Sequence, residues 1–261
     1  MKKNYLTLLG SSVIATGLTL GTAISAQAFT FKDDGSIDFD TTMVGESFTV
    51  DFLGNSDTKN ITNMTSEAVF TYQGFDVNND AVFNIALTNT STDGLTSRTS
   101  VLGFDVDPDI VNATVSGDFN DADFNSAFPN QFGAIEVCFN STKSPSCQGG
   151  GNGGTTTGDG GIDFTVALQF DPNVSITNFT LSNFGVRYQS INGTGILDDG
   201  STVQFNGFNG DSGTGKGTPI NPEDNDPDPE PQDPTDIPEP GTIFGLSLFT
   251  LAAAKFARKK K

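Results

Sequence analysis

From Phe29 to about Asn209, apolar and polar residues alternate with a period of two, the spacing of a strand that buries one face. In "ESFTVDFLG", Phe48, Val50 and Phe52 fall on one side, with Thr49 and Asp51 on the other. "AVFNIALTNT" repeats the scheme with Phe83, Ile85 and Leu87. In "GIDFTVALQFD" it runs longest, as Ile162, Phe164, Val166, Leu168 and Phe170. "GAIEVCFN" and "FGVRYQSI" follow suit, and "DDGS", "NND", "TDG" and "DPN" supply turn chemistry between runs. No stretch of the body has a helical period. The pattern predicts an all-β domain over residues 29–220, an antiparallel β-sandwich or jelly roll.

Two low-complexity pieces interrupt the alternation. "CQGGGNGGTTTGDGG" reads as a mobile loop between strands. Residues 221–237, containing "NPEDNDPDPEPQDPTD", read as an acidic, proline-stiffened linker with nothing to bury.

The two ends follow other rules. Lys2 and Lys3 precede an apolar, small-residue run from Leu6 to Ile24, and Ala26-Gln27-Ala28 closes it. That is the layout of a secretory signal peptide over residues 1–28, with cleavage after Ala28. At the other end Gly241 to Ala257 is apolar except for Lys255, and Arg258, Lys259, Lys260 and Lys261 follow. This predicts a single short hydrophobic transmembrane helix whose basic end stays on the cytoplasmic side.

Charge narrows the partners. The chain carries 13 Lys+Arg and 32 Asp+Glu, a formal net charge of −19. Between Phe29 and Ile237 six basic residues face 31 acidic ones, so phosphate backbones are repelled and nucleic acid is not an expected partner. Histidine is absent, which removes the usual general base near neutral pH and the commonest metal ligand. The 23 Phe against 3 Tyr and no Trp point to a core built on rings without polar tips.

Cys138 and Cys147 are the chain's two cysteines. In an exported protein they are expected to form one disulfide at the start of the glycine-rich stretch. The alternative, a metal site, would leave two thiolates with half of a tetrahedral shell.

"NGDSGTGKGT" resembles three catalytic motifs and satisfies none of them. As a P-loop it has Gly217 where Ser or Thr should follow Lys216. As a serine-protease motif, Ser212 lacks a histidine. As an aspartic-protease motif, Asp211 has no second copy to share a proton. It reads as a loop, and no enzyme activity or catalytic residue is expected.

Three oxygen-rich clusters suit calcium chemically. Asp76, Asn78 and Asp80 occupy the first three ligand offsets of an EF-hand loop, but Ala81 and Leu87 stand where glycine and glutamate belong. Asp105, Asp107 and Asp109 form a second cluster; Asp118, Asp121 and Asp123 form a third. Each reads first as a solvated turn, with weak calcium binding as its alternative. No other cofactor is expected. A histidine-free glycoside hydrolase would need only paired carboxylates. The body's two tyrosines, Tyr72 and Tyr188, offer few rings for a sugar site.

Pro238-Glu239-Pro240, the apolar run and the basic end together resemble the PEP-CTERM sorting signal, over residues 238–261. The resemblance implies handling by an exosortase-type protease, transient inner-membrane anchoring and release to the cell surface. It also implies association with extracellular polysaccharide. The body, through "CFNSTKSPSCQGGGNGG" and "FGVRYQSINGTG", resembles the cyanobacterial cistern family, which brings no established activity. The sequence therefore leads to an exported surface or matrix protein of structural character. A calcium-dependent adhesion or carbohydrate-binding module is the alternative, with the glycoside hydrolase behind it.

Overall fold

The computed structural model describes residues 29–141, 147–149, 153–207 and 211–221. The signal peptide with its cleavage site, the linker beyond Asn221 and the sorting tail with Pro238, Glu239 and Pro240 lie outside these residues. Among the described residues there is no helix, and none therefore long and apolar enough to cross a membrane.

The first strands are β1 (Thr30–Phe31), β2 (Ile37–Asp40), β3 (Ser47–Ser56), β4 (Lys59–Phe75) and β5 (Asp80–Asn89). Then come β6 (Thr96–Asp107), β7 (Ile110–Gly117), β8 (Asp121–Phe128), β9 (Gly133–Asn140) and β10 (Thr155–Thr156). The last are β11 (Ile162–Phe170), β12 (Asn178–Ile196), β13 (Thr202–Asn206) and β14 (Ser212–Ile220).

All pairings are antiparallel, as expected of the class, and they join into one ladder. Its order is β7-β11-β5-β4-β3-β14-β12-β6-β9-β8. The ladder begins and ends on strands that are consecutive in the chain, so the sheet rolls until β7 and β8 are neighbours. Its hydrogen bonds never close between them.

The inward positions are those the alternation marks. Phe48, Val50 and Phe52 on β3, Phe83, Ile85 and Leu87 on β5, and Phe164, Val166, Leu168 and Phe170 on β11 are all buried. Phe70 of β4 shows how opposite walls meet. Its ring centroid lies 4.8 Å from that of Phe48 on the neighbouring strand, and 5.9 and 5.6 Å from those of Phe104 and Phe184 on β6 and β12. Each such ring contributes about 2–3 kcal/mol by leaving water.

Toward one end of the roll the inward positions turn polar. Ser66, Asn89, Ser97 and Thr99 are buried there. Asn89 donates to the Ser97 and Thr99 hydroxyls at 2.8 and 3.1 Å, and accepts from the Ser91 amide and the Thr157 hydroxyl, both at 3.1 Å. The Ser66 and Thr99 hydroxyls are 2.6 Å apart. These groups satisfy one another, which is the condition for burying them.

Two stretches depart from the sequence reading. "DSGTGKGT" is not a loop: from Ser212 it runs into β14, a central strand between β3 and β12. Its glycines at alternate positions are the reason. A Cβ on Gly215 would lie 2.7 Å from Val186 and 2.8 Å from Tyr188, and one on Gly217 2.6 Å from Phe184. Large side chains of neighbouring strands fill the space that β14 leaves, so it shows no apolar alternation. Within the glycine-rich stretch, Thr155 and Thr156 form β10, pairing with Thr99 and Arg98 of β6.

Candidate functional site

The expected Cys138–Cys147 disulfide is present, with Cα atoms 5.8 Å apart. Cys138 sits on β9 opposite Gly103 of β6, where the missing side chain leaves room for the bridge. Both cysteines pack with Val101, Phe128 and Ile135 in a small cluster separate from the main core. Beyond the bridge, the Cys147 amide donates to the Ser126 hydroxyl of β8 at 3.2 Å.

Arg187 of β12 grips the same segment. Its guanidinium donates to the Gln148 carbonyl at 3.1 Å, to the Gly213 carbonyl, and to the Ser212 hydroxyl at 2.6 Å. Arg187 is 7% exposed, and burial holds its pKa down to about 10, which leaves it charged at neutral pH. Its three acceptors are neutral, so the bonds are charge-assisted from one side only. Ser212 is thus part of a clasp between β12, β14 and the disulfide segment. Asp211 beside it accepts the Asn206 amide at 3.0 Å. Both residues of the protease-like motif hold backbone together.

A second region lies where β6 turns into β7. The Glu136 carboxylate of β9 accepts the Val106 amide at 2.7 Å and the Ile110 amide at 2.8 Å. Asp105 accepts the Glu136 amide at 2.7 Å and the Asn183 side-chain amide at 2.8 Å. Burial raises the Glu136 pKa, and Asp109 and Asp105 push the same way; the two amide bonds act against them. Asp105, Asp109 and Glu136 line a groove of about 450 Å³ together with Ile110, Asn125 and Ser126.

Of the other acidic clusters, that of Asp76 serves a turn, whereas Asp121 and Asp123, expected in a turn, lie on strand β8. Asp76 accepts the amides of Asn78 and Asp80 at 2.8 and 3.0 Å and the Asn78 side chain at 3.1 Å, closing the β4–β5 hairpin. Those bonds lower the Asp76 pKa, the Asp80 amide first among them. Burial and then the Asp76 charge raise that of Asp80. Asp118 accepts the Asp163 amide at 3.0 Å, and Asp123 accepts the Asn140 side chain at 3.0 Å. Among the described residues no three His, Cys, Asp or Glu side chains are placed to hold a metal ion.

Sequence reasoning missed an outer face. Ser47, Thr71, Asn84, Thr165 and Ser116 stand side by side across β3, β4, β5, β11 and β7. The Ser47 and Thr71 hydroxyls are 2.8 Å apart, and Thr165 donates to Asn84 at 2.8 Å. The last four of the row border a shallow groove of about 510 Å³. The signal was in the polar half of the alternation, but which strands lie side by side could not be read from it. No family model, curated protein or solved structure matches the chain.

Proposed function

We propose that this chain is an exported cell-surface or extracellular-matrix protein, sorted by an exosortase-type system through its PEP-CTERM-like tail. Its β domain serves as a structural element associated with exopolysaccharide. The observation that carries this reading is the Cys138–Cys147 disulfide, because such bridges persist in oxidising compartments. The signal-peptide layout and the tripartite tail point the same way. On this reading Pro238-Glu239-Pro240 is the motif the sorting protease takes, and the acidic, proline-rich residues 221–237 are the spacer between it and the domain. Intact-mass measurement on the native surface fraction tests the proposal. The expected chain starts at Phe29, ends near Pro240 and is lighter by two hydrogens than its dithiol form. A chain retaining Lys261 in that fraction would overturn the sorting reading.

The row of Ser47, Thr71, Asn84, Thr165 and Ser116 favours a carbohydrate-binding role within the same reading. Neighbouring strands are spaced at about 4.8 Å, so the row offers hydroxyl and amide groups at a short regular repeat. Both body tyrosines are buried, so contact would rest on these groups and not on tyrosine rings. Co-sedimentation with the organism's own exopolysaccharide is expected to weaken on Thr71→Val with Thr165→Val; unchanged retention would remove the row from the account.

A further inference from the structure

Among the described residues, β7 has β11 as its one strand partner and β8 has β9, so each turns an unpaired edge toward the other. Unpaired edges are templates for a further strand, and proteins ordinarily blunt them with charges, often lysine, or with bulges. Neither device acts here against every comer. The β7 sequence, IVNATVSG, carries no charge. Its bulge falls at its start, where the register with β11 shifts between Gln169 and Phe170 and Val111 is 58% exposed. The charges on β8 are Asp121 and Asp123. The groove between the strands lies away from their connection, bordered by Asp109 and Ile110 on one side and Asn125 and Ser126 on the other. At its head the Ile110 amide donates to the Glu136 carboxylate of β9.

We propose that this seam is a strand-acceptor groove for an extended, lysine- or arginine-bearing segment of a partner protein. Main-chain bonds to the two edges would supply the binding, as in strand addition generally. Charge selects the occupant. Asp105, Asp109 and Glu136 line the groove, and among the described residues no basic side chain stands in its walls. A second copy of the chain is disfavoured, since its span from Phe29 to Ile237 sets six basic against 31 acidic side chains. A basic strand meets these carboxylates beside the apolar Val106, Ile110, Ala134 and Ile135 of the same groove.

The test uses the full-length protein and three short labelled peptides. One alternates lysine with valine, one alternates glutamate with valine, and one repeats the first with alternate amides N-methylated. The lysine peptide is expected to bind saturably and to slow amide exchange in Ile110–Gly117 and Asp121–Phe128. The glutamate peptide is expected not to bind. N-methylation keeps the charge and removes the donors, and is expected to cost at least about tenfold in affinity. Asp109→Asn should weaken binding more than Asp57→Asn in the β3–β4 turn. Equal binding of the N-methylated peptide would reduce the effect to surface charge and overturn the proposal. So would protection absent from both strands, or an Asp109→Asn effect no larger than that of Asp57→Asn.

Discussion

Gly217 faces three side chains at once. A Cβ there would lie 2.6 Å from the Phe184 Cβ and 2.7 Å from Phe52 and Val50, none of which can withdraw without disturbing the core. Gly217→Val is therefore expected to destabilise the domain by about 1–3 kcal/mol through overpacking. Chemical denaturation measures it, and an unchanged midpoint would mean that β14 is not held as described. Asn89 shows the complementary constraint. It is 4% exposed and uses both its donors and its acceptor, so it is as fixed in place as any Phe of the core. Ser212 stands in a protease-like motif that lacks its histidine. Its hydroxyl is committed to the Arg187 guanidinium.

At the scale of elements, the disulfide closes a loop with a sequence separation of 9. Loss of that closure in Cys138→Ser with Cys147→Ser is expected to cost roughly 2–3 kcal/mol. For a domain of this size that lowers the melting temperature by roughly 5–10 °C. A scan with and without reductant reads the same quantity, and no shift would show that Arg187 alone suffices to hold the segment. Glu136→Ala leaves the Val106 and Ile110 amides without their acceptor at the β6–β7 turn. A cost of about 2 kcal/mol is expected for these charge-assisted bonds. Amide exchange should then quicken at Val106 and Ile110 before it does elsewhere; uniform exchange would assign Glu136 no local role.

The whole molecule adds a pH and salt response. Glu136 and Asp80 have folded pKa values above their ordinary 4.5 and 3.8. In the window just above those values the folded state holds more protons than the unfolded one, so stability rises as pH falls through it. Asp34, Asp38, Asp40, Asp76, Asp171 and Asp199 are lowered from 3.8, and their contribution, present above 3.8, is lost as pH falls below it. Thermal stability should therefore peak on the acid side of neutrality, above about pH 4 by these values. Glu136→Gln should flatten the rise. A monotonic fall from pH 7 downward would contradict this assignment. Added salt should stabilise the protein at neutral pH by screening its excess of carboxylates, until the Debye length drops below about 10 Å.

The sequence by itself determined the class of the fold and the composition of its core. Period two reports which side of a strand leaves water, and side chains as large as Phe48, Phe83 and Phe164 make that report legible. It also pointed to the disulfide, since two thiolates without histidine fill only half of a tetrahedral metal shell. Only the tertiary structure decided that β14 is a strand. Gly213, Gly215 and Gly217 have no side chains to alternate, and the space they leave is defined by Met64, Phe52, Val186 and Phe184 from distant parts of the chain. The order of the ladder, the hydroxyl and amide row across five strands and the open seam between β7 and β8 are likewise tertiary. Each depends on which strands become neighbours, and that is settled by the long-range closure of the roll around its rings, a constraint that no local window of residues contains.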